Sequence, residues 1–403
     1  MTLRVALVTH DYQAGGGVGA MTNFLYRVLR ESGRFEPEII SLAHSASDSA
    51  SVRLRSPATW RQGIQLVRGK CDGIPFVHFG AWFSELEFQR YRPRANLTEM
   101  LNGYDLVQFV VGAPPWMWAA ARVQRPKFLW TATTTRPDRA SRIQKARPLR
   151  RWWLWAMTPL AEQYERGALR IASEVFALSN YTLASVRAVL GNGSGILAAC
   201  GVDTNSFHPA PTQPKKFILC VGRLDDPRKN IALLVEAYAR LRRNVPNAPE
   251  LWLVGPQPPP EAMRLIQKHG LTETVRLQGP RKPAELPRIY QSALCFVLSS
   301  DEEGLGIVLL EAMACGLPVV STACGGSETA IEHDTTGFLV PVGDAKALSD
   351  AMGRLIASPS LCERLGQEAR KVALERFSVG EAARVFLEKY EQALSAAQRF
   401  NRG

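Results

Sequence analysis

Two glutamates, Glu303 and Glu311, stand eight residues apart in SSDEEGLGIVLLEAMACGLPVVS (299–321). A carboxylate accepts hydrogen bonds from vicinal hydroxyls, so each is a candidate to hold a polyol. Gly304 and Gly306 let the backbone between them turn sharply and bring its N–H groups close to a ligand. The apolar run from Ile307 reads as a helix. Its first turn carries unpaired N–H donors and a partial positive charge, which suit a phosphate. Glu303 then lies on the loop and Glu311 on the order of 7 Å along the helix axis. Sugar, diphosphate and ribose follow one another in that order in a nucleotide sugar. The plainer reading makes Glu303 an acidic group near a helix start and Glu311 a surface residue.

A second stretch, VGRLDDPRKNIALLVEAY (221–238), sets Arg223, Arg228 and Lys229 just after an apolar strand. Guanidinium groups fork onto phosphate oxygens and an ammonium adds a point charge. Together they could neutralise a departing diphosphate with no metal. The plainer reading is a solvated basic turn with Asn230 as a helix N-cap.

These residues need elements to hold them. The second half alternates apolar strands and helices: 217–222, 231–243, 250–255, 261–270, 275–279, 283–293, 294–300, 307–316 and 318–322. The first half repeats the pattern more loosely: RVALVTH, a helix from about Val18 to Glu31, FEPEIISLA, and strands within 104–111, 127–133 and 174–180. Alternation at these lengths predicts parallel sheets covered on both faces. The proline-rich HPAPTQPKK (208–216) is the expected linker. Two such domains leave a cleft between the C-terminal ends of two sets of strands, where open α/β sheets bind ligands.

The 403 residues are 46% hydrophobic and 21% charged, with a formal net charge of +12. That suits a globular chain with anionic partners. No apolar run is long enough to span a bilayer, and MTLRVALVTHDY lacks the apolar core of a signal peptide, so a cytoplasmic location is expected. The seven cysteines form no CxxC pair and no zinc-spaced cluster. No cofactor is expected, and no metal site.

The segments resemble the retaining glycosyltransferases of family four, the group 1 transferases of GT-B fold. GGGVGAMTNFLYRVL (15–29) resembles the family's glycine loop, ALSNYTLASV (177–186) its "vSe" segment and CGVDTNSFHP (200–209) its "NGVD…F.P". VGRLDDPRKN resembles the basic diphosphate loop, and 302–320 the E-x7-E signature. GGSETAIEHDTTGFLV (325–340) resembles the "GG..E.i..g..G.Lv" segment. The resemblance implies two Rossmann-like domains facing a central cleft. Residues 1–208 would bind the acceptor and 209–376 the nucleotide-sugar donor, and the helix 377–403 would pack back on the first domain. It implies a metal-independent transfer, with retention, from a nucleotide-diphosphate sugar to a hydroxyl of a glycan, lipid-linked saccharide or small molecule. Glu303 would bind the donor sugar, Glu311 the ribose, and Arg223 with Lys229 the diphosphate. Arg228 competes for the lysine's role, because the loop is one residue longer than the common pattern. Gly304, Leu305, Gly306 and Ile307 would give backbone contacts, and Gly16 and Gly17 would approach the diphosphate from the other domain. The base would rest near Gln278–Arg281.

The chain departs from the family in lacking its N-terminal histidine: YDLVQF has Gln108, and LWTATTTRP has Ala132 and Thr133. His10, at the end of the first strand, is the candidate sugar contact in its place; a packing residue is the plainer reading. The "GxG" after the donor domain's second strand is altered to VGPQPPP.

Residues 136–151 hold seven Lys or Arg against one Asp, followed by Trp152, Trp153 and Trp155. Arginines beside tryptophans suit an anionic membrane surface, so 136–155 is the expected contact for a peripheral enzyme on the inner membrane face. Stacking on nucleic acid would use the same residues, but no nucleic-acid module is present and none is expected as partner. The alternative reading packs the tryptophans inside. Two other functions compete: a non-catalytic nucleotide-sugar-binding module, and a dinucleotide-dependent oxidoreductase. The latter rests on a loose G-x-G-x-x-A at Gly15, Gly17 and Ala20.

Overall fold

Runs of β-branched and aromatic residues with no polar alternation form strands buried on both faces. Val5, Ala6, Leu7 and Val8 are fully buried in β1 (Leu3–His10), as are Val107, Phe109, Val110 and Val111 in β5 (Leu106–Val111). This is the signature of a parallel sheet layered with helices. The structure, a computed structural model, describes residues 2–10, 12, 16–210 and 216–400. Gly15 and positions 211–215 of the linker stretch lie outside them.

The first sheet adds β2 (Phe35–Leu42), β3 (Leu66–Cys71), β4 (Ile74–Phe79), β6 (Lys127–Thr131), β7 (Glu174–Ala177) and β8 (Ile196–Leu197). Its order is β3-β4-β2-β1-β5-β6-β7-β8. Every pairing is parallel except that of β3 with β4. Those two strands form a hairpin that the reading of the sequence did not contain. Asp72 and Gly73 turn it with φ of 50° and 79°, the geometry a two-residue Asp-Gly loop favours. The signal was present, but β3 lies at the sheet edge and is mostly exposed, so it has no apolar run to announce it.

The second sheet is parallel throughout. It contains β9 (Phe217–Val221), β10 (Glu250–Val254), β11 (Val275–Gly279), β12 (Ala293–Leu298), β13 (Val319–Thr322) and β14 (Gly337–Val340). Its order is β11-β10-β9-β12-β13-β14. β9 is first in sequence and sits between β10 and β12, so the winding reverses there. The loops leaving β9 and β12 therefore emerge side by side at the carboxyl edge, where such sheets bind ligands. The expected α/β class, two parallel-sheet domains, is the fold observed.

The chain divides into two units. One comprises residues 1–198 with 383–403, the other 199–382. In the first unit, Phe386 packs edge-on against Trp130 with ring centres 4.7 Å apart, and Tyr390 lies 5.0 Å from Phe128.

Candidate functional site

The basic loop follows β9. Asp226 caps a short 3-10 turn, Pro227–Lys229, by accepting from the Arg228 N–H at 3.0 Å. Asn230 comes next with φ of 45°, a left-handed conformation that asparagine tolerates. Its side chain accepts from the Leu233 N–H at 3.2 Å and starts the helix Ile231–Asn244, as the N-cap reading expected. The same side chain donates to Asp301 Oδ1 at 2.7 Å, and the Asp301 N–H donates to the Arg228 carbonyl at 2.8 Å. The Ser299 hydroxyl donates to the Lys229 carbonyl at 2.9 Å. Three hydrogen bonds among five residues thus stitch the β9 loop to the β12 loop.

That stitching brings Lys229 to Glu303 across 74 positions of sequence. The Lys229 ammonium pairs with Glu303 Oε1, which also accepts from the Ser300 hydroxyl at 2.9 Å. Both side chains are largely buried. An ammonium has three N–H donors, and Glu303 Oε2 has no partner among the described residues, so both groups keep capacity for a ligand. Arg228 is committed differently: its Nε and Nη2 both donate to Asp226, at 3.2 and 2.8 Å. Arg223 Nη2 reaches Asp226 Oδ2, the oxygen that Arg228 Nη2 also contacts, at 3.0 Å, and its side chain is half exposed. Burial pushes the Asp226 carboxyl up, but the bond and charge of Arg228 and the charge of Arg223 outweigh it and hold the group down at about 2. Asp226 therefore stays ionised and holds the two guanidinium groups in place.

The Glu303 loop is braced from β13. The Glu303 N–H donates to the Cys324 carbonyl at 3.1 Å, and the Gly326 N–H to the Glu303 carbonyl at 2.9 Å. A Cβ on Gly326 would lie 2.4 Å from the Gly304 carbonyl carbon, so only glycine allows this approach. Gly306, at φ of 80°, turns the chain into the helix Ile307–Ala314. Leu305 is buried.

Glu311 lies in the second turn of that helix. It is not the surface residue of the plainer reading. It keeps a partial opening but is otherwise enclosed, and its Oε2 accepts from the Tyr290 hydroxyl at 2.7 Å. Burial raises its pKa to about 7, with the Tyr290 bond opposing. Its Oε1 has no partner among the described residues. Gln278 and Arg281, expected near the base, bond to each other at 3.1 Å at the end of β11.

The remaining candidates belong to the first unit. Gly16 and Gly17 begin the helix Gly17–Glu31 at the carboxyl end of β1. His10 ends β1 in a cluster of three rings, its centre 5.0 Å from His44 and 4.8 Å from Trp116, which lie 5.5 Å from each other. Its Nε2 accepts from the Gly112 N–H at 3.2 Å. Gln108, standing where the family histidine was sought, is fully buried and accepts from the Tyr390 hydroxyl at 2.6 Å. It is a core group.

Sequence reasoning missed Asp226, Ser300 and Tyr290. An Asx cap two residues before Arg228 was legible as local turn chemistry. Tyr290 and Glu311 meet from different elements, and nothing in their spacing announces it.

The basic tryptophan segment forms two helices, Thr135–Lys145 and Pro148–Ile171. Trp152, Trp153 and Trp155 are 61%, 43% and 68% exposed, and Leu149 is 82% exposed, so the tryptophans do not pack inside. Arg147, Arg150 and Arg151 are exposed beside them. Arg139 is not: it is buried against Glu87, which removes it from any surface contact. No described helix is long and apolar enough to cross a membrane.

Residues 202–372 match the family described as glycosyl transferases group 1. A GDP-mannose-dependent alpha-(1-6)-phosphatidylinositol monomannoside mannosyltransferase of Mycolicibacterium smegmatis is 32% identical over 243 residues, 55% of this chain and 63% of the relative. This chain thus spans less than two thirds of that relative's length. Sucrose-phosphate synthase from Thermosynechococcus elongatus matches with a TM-score of 0.74 at 22% identity, covering 98% of this chain and 100% of that one. Anabaena HepE in complex with UDP and glucose matches with a TM-score of 0.70 at 18% identity, covering 97% and 100%.

Proposed function

We propose that this chain, which residues 202–372 assign to the group 1 glycosyl transferases and which has the GT-B fold, moves a sugar from a nucleotide-diphosphate sugar to a hydroxyl acceptor. The observation that carries the reading is the Lys229–Glu303 pair. It joins a cation suited to a diphosphate and a carboxylate suited to sugar hydroxyls, at the point where the sheet's winding reverses. In this reading Arg223 and Lys229 hold the diphosphate, and Arg228 fixes their loop through Asp226. Gly304 to Ile307 supply backbone N–H groups, Glu303 orients the donor sugar, and Glu311 takes the ribose. Gly16 and Gly17 add backbone contacts from the first unit, and His10 touches the sugar.

The transfer proceeds with retention. The bond from the anomeric carbon to the diphosphate oxygen breaks, and the acceptor oxygen bonds to that carbon from the same face. The departing phosphate oxygen takes the acceptor's proton. The charge on the leaving group grows in the transition state, where fixed cations lower the barrier most. Arg223 and Lys229 supply that charge, so no metal is required.

The donor classes to test first are GDP- and UDP-linked hexoses, which the relative's name and the HepE complex suggest. The acceptor is a glycan or lipid-linked saccharide. The enzyme is cytoplasmic and binds the inner membrane face through 136–155, a reading supported by its exposed tryptophans and arginines. The deciding experiment is a thermal-shift and turnover screen of GDP-mannose, UDP-glucose and ADP-glucose in the presence of chelator. One donor should stabilise the protein and be consumed, with the product anomer matching the donor by NMR. No stabilisation by any of them would overturn the reading.

A further inference from the structure

A groove of about 700 Å³ in the first unit has no role in the proposed donor chemistry. Its walls combine Trp82, Trp118 and Tyr164 with Arg92, Arg94 and Arg122, and among the described residues no Asp or Glu lines it. That volume is of the size that takes a small ligand.

The aromatic side is held in place by its neighbours. Phe83 has φ of 48°, a costly conformation for a bulky residue. Its ring packs on Trp82 and Trp60, and Trp82 stays 46% exposed. Trp118 lies so close over Gly167 that a Cβ there would sit 2.4 Å from the indole. Tyr164 meets the same indole edge-on at 6.2 Å. Two aromatic rings held by their neighbours therefore line the groove.

The basic side is neutralised by the protein only in part. Arg94 is 7% exposed, and its Nη2 donates to the Arg90 carbonyl at 2.7 Å. Its Nε and Nη1 are buried with no acceptor. Burial lowers its pKa to about 10, opposed by the charge of Asp48, whose carboxylate is itself bound to His78 at 2.7 Å. A buried cation with unsatisfied donors is destabilising unless an anion completes it. Arg92 and Arg122 are exposed on the same wall. A second, smaller hollow that shares Trp118 and Tyr164 with this groove carries Arg166 and Arg170, extending the positive surface.

We propose that this groove binds an anionic saccharide, a sugar bearing a phosphate or carboxylate. The ring lies against Trp82 and Trp118, and the anion meets Arg92, Arg94 and Arg122. Guanidinium forks match both anions, and flat aromatic faces cover the apolar face of a sugar ring. That this saccharide is the transferase's acceptor rests on the function proposed above; the binding site itself does not.

The test is calorimetric titration of the full chain with glucose 6-phosphate, glucuronate, glucose and inorganic phosphate, with GDP and UDP titrated separately. The two charged sugars should bind about tenfold more tightly than glucose, as expected for charge-assisted hydrogen bonds. Arg92→Gln with Arg122→Gln, both exposed and harmless to folding, should weaken the charged sugars by about fivefold or more. Trp82→Ala should weaken glucose 6-phosphate and leave inorganic phosphate unchanged. Arg94→Gln should abolish the preference for charge; should it fail to fold, the exposed variants decide. Unchanged binding in those variants overturns the proposal. So does inorganic phosphate binding as tightly as glucose 6-phosphate, which would make the groove an anion site only. A protein that binds a nucleotide but no charged sugar overturns the groove alone. One that binds charged sugars but no nucleotide supports the groove and sinks the transferase reading.

Discussion

Glu303 carries two bonds from its own protein, from Lys229 and Ser300, and both fall on one oxygen. Glu303→Gln keeps the shape but removes the charge that faces Lys229. Transfer should be abolished while the Kd for nucleoside diphosphate changes little, read by turnover and calorimetry. Glu311 is the more informative group, because burial raises its pKa to about 7. In the role proposed above, its carboxylate would accept ribose hydroxyls better ionised than protonated. Nucleotide affinity should therefore rise with pH through about 7. Tyr290→Phe removes the bond that holds this pKa down, so the midpoint should move up. A pH series of nucleotide Kd checks both. Stability runs the other way: a folded pKa above the ordinary value of 4.5 favours the folded state at low pH. That contribution is complete below about pH 4.5 and is lost as pH rises through about 7. It is on the order of 3 kcal/mol, and Glu311→Gln should flatten the profile in urea titrations.

At the scale of elements, two loops and a brace make the site. Asn230 caps one helix, tolerates the left-handed turn and bonds across to Asp301. Asn230→Ala should cost about 1–2 kcal/mol in denaturant midpoints, with turnover lost in parallel as Lys229 drifts from Glu303. Gly326→Ala tests the brace. Its Cβ would collide with the Gly304 backbone, so turnover should fall far more than thermal stability. The helix Pro148–Ile171 presents Leu149 and three tryptophans to solvent with Arg147, Arg150 and Arg151. Each cation at an anionic surface is worth about 1 kcal/mol. Replacing those three arginines by glutamine should release the protein from anionic vesicles in a sedimentation assay, as should raised salt. Wild-type protein that ignores such vesicles at low salt would end the membrane reading.

For the whole molecule, two units imply that unfolding need not be two-state. The proposed nucleotide contacts fall almost entirely in residues 199–382. A nucleoside diphosphate at 100 times its Kd stabilises what binds it by about 2.7 kcal/mol. Calorimetric scans should then show the ligand raising the transition that belongs to the second unit. A uniform shift of every transition would place essential contacts in the first.

Strands such as β9 and β12, the helix starting at Ile307 and the α/β class were all legible in the sequence, because periodicity and burial act over neighbouring residues. Glu303, Glu311, Arg223 and Lys229 could be picked out as candidates from sequence, and the structure brings Lys229 and Glu303 together; their roles rest on the function proposed above. The β3–β4 hairpin escaped notice because an edge strand carries a weak apolar pattern. The different partners of Arg228 and Lys229 could not be read from the sequence, since adjacent cations look alike until one meets Asp226 and the other Glu303. The same holds for Gln108, a polar residue that only the Tyr390 hydroxyl identifies as core, and for the tryptophans, whose exposure depends on what packs beside them. Local order determines which elements form and which groups they carry. Strand order determines which loops meet, and that is settled only when distant segments compete for one another in the folded chain.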